Sequence, residues 1–226
     1  MKTHYYFDWF NEDMPKDVVD ALLGDLHERR SLVFIGSDPA NHVFNYDQCD
    51  IAAGKWLGPA GIEFEEYAII DYRTTKEDAH EVIKNASAIF LLGGKAAVQR
   101  AFLDEYDLMT AFNQSNASVI MGVSAGAMNM SAGWVTSKYI SIGSARYTAG
   151  KSKFTNGLGF DNFVMEAHID INNIKLFEND LFPLSQTMPV YAMCYESFIR
   201  VKNGEMEFFG DIYFVSGSKI SKMMKI

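Results

Sequence analysis

Four short apolar runs, each leading into a segment of helical character, limit the folds open to this chain of 226 residues. The runs are Ser31–Gly36, the Tyr67–Ile70 stretch inside Glu63–Asp71, Ala88–Leu92 and Ser118–Gly122. Between them lie His42–Leu57, a charged segment opened by Thr75 and reaching Lys84, and Lys95–Phe112, which reads as two helical pieces. Parallel strands need crossover connections of this length, and the crossovers cover the sheet that they connect. The expected fold is therefore α/β, a doubly wound and mostly parallel sheet with helices on both faces. Ser197–Val201 and Glu205–Phe209, joined through Asn203-Gly204, add a C-terminal β-hairpin, because Asn-Gly accepts the positive φ angles of a tight turn.

With 48% hydrophobic residues the chain can bury one sizeable core, so residues 1–226 are read as a single domain. Within it, residues 1–30 are expected to be an N-terminal extension with a helix. Trp134–Gly159 reads as loops and short strands, Pro189–Tyr195 as one more core strand, and residues 219–226 as a basic tail carrying Lys219, Lys222 and Lys225. Open parallel sheets bind ligands beyond the carboxyl ends of their strands. Gly36-Ser37-Asp38, Gly93-Gly94 and Ser124 all fall there, so three distant turns should converge on one edge.

The formal charge of −9 would repel a phosphate backbone, and no nucleic-acid partner is expected. No run approaches the roughly 18 apolar residues of a membrane span, and the N-terminus lacks the apolar stretch of an export signal. The reading is a cytoplasmic protein with no membrane contact. Cys49 and Cys194 are far apart and match no metal or redox spacing, as expected of reduced thiols. No metal site and no cofactor are expected.

Chemistry enters at Gly122-Val123-Ser124-Ala125-Gly126. A serine hydroxyl becomes a nucleophile when it is exposed at a sharp turn and paired with a base. A Gly-x-Ser-x-Gly turn between an apolar strand and a helix meets the first need, with Ser124 at the apex. For the base, His4, His27, His42 and His80 precede Ser124 and have adequate surface or helix-face roles; His168 follows it, at the end of the strand-like run Phe163–His168. The orienting acid is open among Glu166, Asp170 and Glu196, of which Glu196 emerges at a sheet edge after a core strand. The amide of Ala125 and a backbone N–H of Gly93-Gly94 can form an oxyanion hole.

Taken together, Leu91-Leu92-Gly93-Gly94, the elbow Gly122–Ala127, a histidine in a strand and a glutamate before a short hairpin resemble peptidase family S51, which includes peptidase E (aspartyl dipeptidase) and cyanophycinase. The resemblance runs from about Ser31 to about Val215. It implies a fold like that of class I glutamine amidotransferases and a chain order of nucleophile, histidine, acid. In that order Ser124, His168 and Glu196 form the triad, and Gly94 and Ala125 are the oxyanion donors. Gly93, Lys95 and Asn172 are the candidate substrate contacts. Two features depart from peptidase E: Lys95 stands where that enzyme has Asn after its Gly-Gly, and between Ile169 and Pro189 the only cationic side chain is Lys175. A preference for N-terminal Asp is not expected.

The resulting expectation is a serine peptidase that cleaves short peptides through an acyl-enzyme, a dipeptidase or other exopeptidase, with a homodimer as the assembly to look for. Two alternatives remain. The same triad could serve an ester or non-peptide amide, or the fold could persist as a catalytically silent binding protein.

Overall fold

The computed structural model describes residues 2–137, 139 and 152–224. The four apolar runs form strands β2 (Ser31–Ile35), β3 (Glu66–Ile70), β4 (Ala88–Leu91) and β5 (Val119–Val123), all parallel where they pair. The segments between them are helical: α2 (His42–Asp50), continued by a π-helical stretch Ile51–Leu57, then α3 (Lys76–Lys84), α4 (Ala96–Glu105) and α5 (Leu108–Gln114). Local signals set their ends. The Thr75 hydroxyl accepts from the Asp78 N–H at 3.1 Å and starts α3, while Asp107, at φ 52°, separates α4 from α5 as the two-piece reading expects.

The N-terminal segment corrects the expectation of an extension. Thr3–Phe7 is β1, and it lies inside the seven-stranded main sheet, whose order is β11-β10-β1-β5-β4-β2-β3. It pairs parallel with β5 and antiparallel with β10 (Phe198–Lys202). Tyr5, Tyr6 and Phe7 are all fully buried, because alternation sends Tyr5 and Phe7 to one face of the sheet and Tyr6 to the other. Each such aromatic contributes about 2 to 3 kcal/mol of burial, so the aromatic run outweighs its position near the chain end. Helix α1 (Lys16–Asp25) then covers one face with Val18 and Leu22.

Both faces carry a core. Phe7, Phe34, Phe90 and Met121 pack with Leu22 and Trp56 on one side, whereas Tyr6, Ile89, Leu91 and Ile120 pack with Ile83, Phe102 and Phe112 on the other. The C-terminal hairpin is present as β10 and β11 (Glu205–Phe209), with Asn203 at φ 55° and Gly204 at φ 82° in its turn.

The second half departs further from expectation. Among the described residues, β6 (Gly133–Thr136), β7 (Lys153–Asn156), β8 (Val164–Glu166), β9 (Val190–Met193), β12 (Ile212–Ser216) and β13 (Lys219–Lys222) make a separate six-stranded sheet ordered β13-β12-β9-β8-β6-β7. The core strand read at Pro189–Tyr195 is thus β9 of this second sheet. The first half of the supposed basic tail is β13, paired with β12, and Lys222 meets Asp211 at 2.5 Å; Lys225 lies outside the described residues. No helix among the described residues is long and apolar enough to cross a membrane.

Candidate active site

Ser124 follows β5 and opens helix α6 (Ala125–Met130), with φ 49° and ψ −109°. Such a conformation in a residue other than glycine costs roughly 1 to 3 kcal/mol and persists only where its surroundings enforce it. The packing of α6 supplies that enforcement. A Cβ on Gly126 would sit 2.1 Å from the Leu91 carbonyl oxygen, so α6 lies directly against β4 and no larger residue fits. On the other side the Ser124 N–H donates to the Phe7 carbonyl at 2.9 Å, which ties the elbow to β1.

The histidine read from the sequence does meet this serine. His168, two residues beyond β8, brings Nε2 to 2.7 Å from Ser124 Oγ. Its backbone also takes a left-handed conformation, φ 58°, which swings the ring out of the strand direction.

The carboxylate that meets the His168 ring is that of Asp8, a residue not among the acids expected from the sequence. Asp8 directly follows β1; its Oδ1 lies 2.6 Å from His168 Nδ1, and its Oδ2 accepts the His168 backbone N–H at 2.6 Å. A buried carboxylate at Nδ1 holds the ring proton there, which leaves Nε2 free to accept from the serine hydroxyl. The side chain of Asp8 is inaccessible to solvent, and that of His168 is 9% exposed.

Glu196 does not occupy the expected place beside His168. In the turn after β9 it adopts φ 64° and points to the loop that follows β1, where its Oε1 accepts from the Asn11 N–H at 2.8 Å and from Asn11 Nδ2 at 3.0 Å. Its neighbour Tyr195 contacts the histidine instead, stacking on the imidazole at 4.9 Å between ring centroids and 26° between planes. The other two acids have local partners: Glu166 is buried and accepts from the Val135 N–H, and Asp170 accepts from the N–H and side-chain amide of Asn172. Asn172 is thereby held in an exposed turn of its own.

The remaining candidates border the elbow. A Cβ on Gly93 would lie 3.4 Å from the Val123 carbonyl and 3.5 Å from the Trp9 ring, so the Gly93-Gly94 turn abuts the residue before Ser124. Gly94 has φ 140°, and a side chain there would strike Ser37 Oγ at 2.4 Å and the Phe44 ring at 2.8 Å. Ala125 is the buried first residue of α6. Lys95 pairs with Asp38, Nζ to Oδ2 at 2.6 Å, and Ser37 Oγ donates to the Gly93 carbonyl at 2.5 Å. The ends of β2, β4 and β5 therefore converge as the sheet topology requires. Burial, reinforced by the negative charge of Asp8, pushes the thiol of Cys194, next to this site, up to about 11.

A serine on a strained strand-to-helix turn of an α/β sheet, with base and acid in line behind it, defines the class of serine hydrolases. The sequence matches the profile of peptidase family S51 over residues 11–209. The chain belongs to this family of serine peptidases. Two solved structures are similar. A peptidase from an acI-B1 Actinobacterium superposes with a TM-score of 0.67 at 16% identity, covering 100% of this chain and 95% of that one. A protein from Listeria monocytogenes EGD-e, assigned provisionally to peptidase E, gives 0.61 at 16% identity, with 92% and 98% covered. At that identity the likeness concerns the fold. A search of curated proteins returns no match. Asp8 lies ahead of the stretch that matches the family profile.

Proposed function

We propose that the protein hydrolyses short peptides by acyl transfer, with Ser124 as nucleophile, His168 as general base and then general acid, and Asp8 as the orienting carboxylate. The observation that carries this reading is the continuous hydrogen-bonded chain from Ser124 Oγ through His168 to Asp8, at 2.7 and 2.6 Å. Ser124 Oγ attacks the scissile carbonyl as its proton passes to His168 Nε2. The imidazolium so formed is stabilised by Asp8. The N–H groups of Ala125 and Gly94 are the proposed donors to the tetrahedral oxyanion, and each such donor is worth about 3 kcal/mol in the transition state. His168 then protonates the leaving amine, and a water activated by the same nitrogen releases the acyl group from Ser124.

Dipeptidase or other exopeptidase activity is the finer form of the proposal, and family membership supports it. Lys95 is already neutralised by Asp38, which favours substrates without an acidic N-terminal residue. The test pairs a fluorophosphonate probe with a panel of dipeptides and tripeptides. Labelling and peptide cleavage by the wild type, both abolished by Ser124→Ala, are expected; equal labelling of the two proteins would refute the assignment.

A further inference from the structure

We propose that Glu196 is a positioning residue, one that holds the Asp8–Asn11 loop so that Asp8 can meet His168. The inference rests on the Ser124–His168–Asp8 reading given above. Asp8 stands where β1 ends and an irregular loop begins, a loop anchored on one side by Trp9 and Phe10 against Trp56. On its other side the loop is fastened from the turn Cys194–Ser197. The Asp8 N–H donates to the Ser197 carbonyl at 3.0 Å, and the Glu196 N–H donates to the Trp9 carbonyl at 2.9 Å. Glu196 Oε1 receives both Asn11 donors. The turn is itself braced by Ser197 Oγ, which donates to the Cys194 carbonyl at 2.5 Å.

The same four-residue turn touches the histidine through the Tyr195 ring. It therefore grips both partners of the Asp8–His168 pair, one by backbone and carboxylate contacts and the other by stacking. Glu196 itself has a left-handed backbone at φ 64°. In this geometry Glu196 serves as a hydrogen-bond acceptor, and only one of its oxygens is needed. A glutamine offers the same acceptor without the charge. A triad acid, by contrast, requires the charge, since it must stabilise an imidazolium.

The experiment measures fluorophosphonate inactivation, separated into the maximal rate kinact and the half-saturating concentration KI, for the wild type, Glu196→Gln, Glu196→Ala, Asn11→Ala and Asp8→Asn. Glu196→Gln should stay within about twofold of wild type. Glu196→Ala should lose about 10- to 100-fold in kinact with KI little changed, the usual result of displacing a catalytic group by about 1 Å, and Asn11→Ala, which keeps its backbone N–H bond to Glu196, should lose less. In an Asp8→Asn background Glu196→Ala should add nothing, because nothing remains for the loop to position. Loss of activity in Glu196→Gln equal to that in Asp8→Asn would overturn the inference and make Glu196 charge essential. Full activity in Asp8→Asn would instead overturn the underlying triad. If Glu196→Ala does not fold, Glu196→Met keeps the length of the side chain without the acceptor, and wild-type kinact in it would exclude a positioning role.

Discussion

Asp8 and His168 are 160 positions apart in the chain and 2.6 Å apart in space, joined by both the ring Nδ1 and the backbone N–H of the histidine. The pair spans the two sheets, since Asp8 leaves the main sheet at the end of β1 and His168 leaves the second sheet after β8. The geometry of the pair is thereby coupled to how the two sheets pack.

Asp8→Asn should retain the fold and lower kcat by about 10⁴-fold, because an amide at this place favours the wrong imidazole tautomer and cannot stabilise the imidazolium. Turnover of a peptide substrate, with a circular dichroism melt as the folding control, measures it. Activity within tenfold of wild type would rule out Asp8 as the acid.

Gly94→Ala should impair activity more than stability. The left-handed backbone at φ 140° disfavours any side chain, and a methyl there would press on Ser37 Oγ and the Phe44 ring, so the turn carrying the proposed oxyanion donor must shift. A loss of about 100-fold in kcat is expected, the typical effect of removing one donor, and steady-state kinetics would detect it.

Gly126→Ala should act on folding. Its Cβ would overlap the Leu91 carbonyl at 2.1 Å, and neither α6 nor β4 can retreat without opening the core. Destabilisation of about 3 kcal/mol or more is expected. A drop in the urea midpoint is the readout, and an unchanged midpoint would contradict the packing described.

Acid stability should depend on Asp25, which is buried against Tyr5, Arg200 and Lys202. Burial alone would raise its carboxyl, but the hydrogen bonds from Arg200, Lys202 and Tyr5 outweigh it and hold the group at about 2. A folded-state value below the unfolded one stabilises the protein above about pH 4, and that contribution disappears as the pH falls toward 2. The wild type should lose about 2 kcal/mol to this group across that window. Urea melts at pH 5 and pH 2.5 should show a smaller decrement for Asp25→Asn than for the wild type.

Periodicity and turn chemistry made the alternation of strand and helix through β2–β5, the turn at Ser124 and the hairpin at Asn203-Gly204 legible in the sequence, and His168 was expected near Ser124, where its ring lies 2.7 Å from Oγ. Each of these is a local matter of periodicity, turn chemistry or a single residue with few competitors. The acid was expected to be Glu196, and there the structure departs from the sequence. Glu196 lies in the right chain order, but order constrains neither the direction of a side chain nor the strand that stands next to it. Asp8, not Glu196, meets the His168 ring because an aromatic run too short to identify as a central strand becomes one when β5 and β10 bury it on both sides. The second sheet was hidden for a related reason. Its strands are three to five residues long, and they are specified by long-range pairing that no local pattern records.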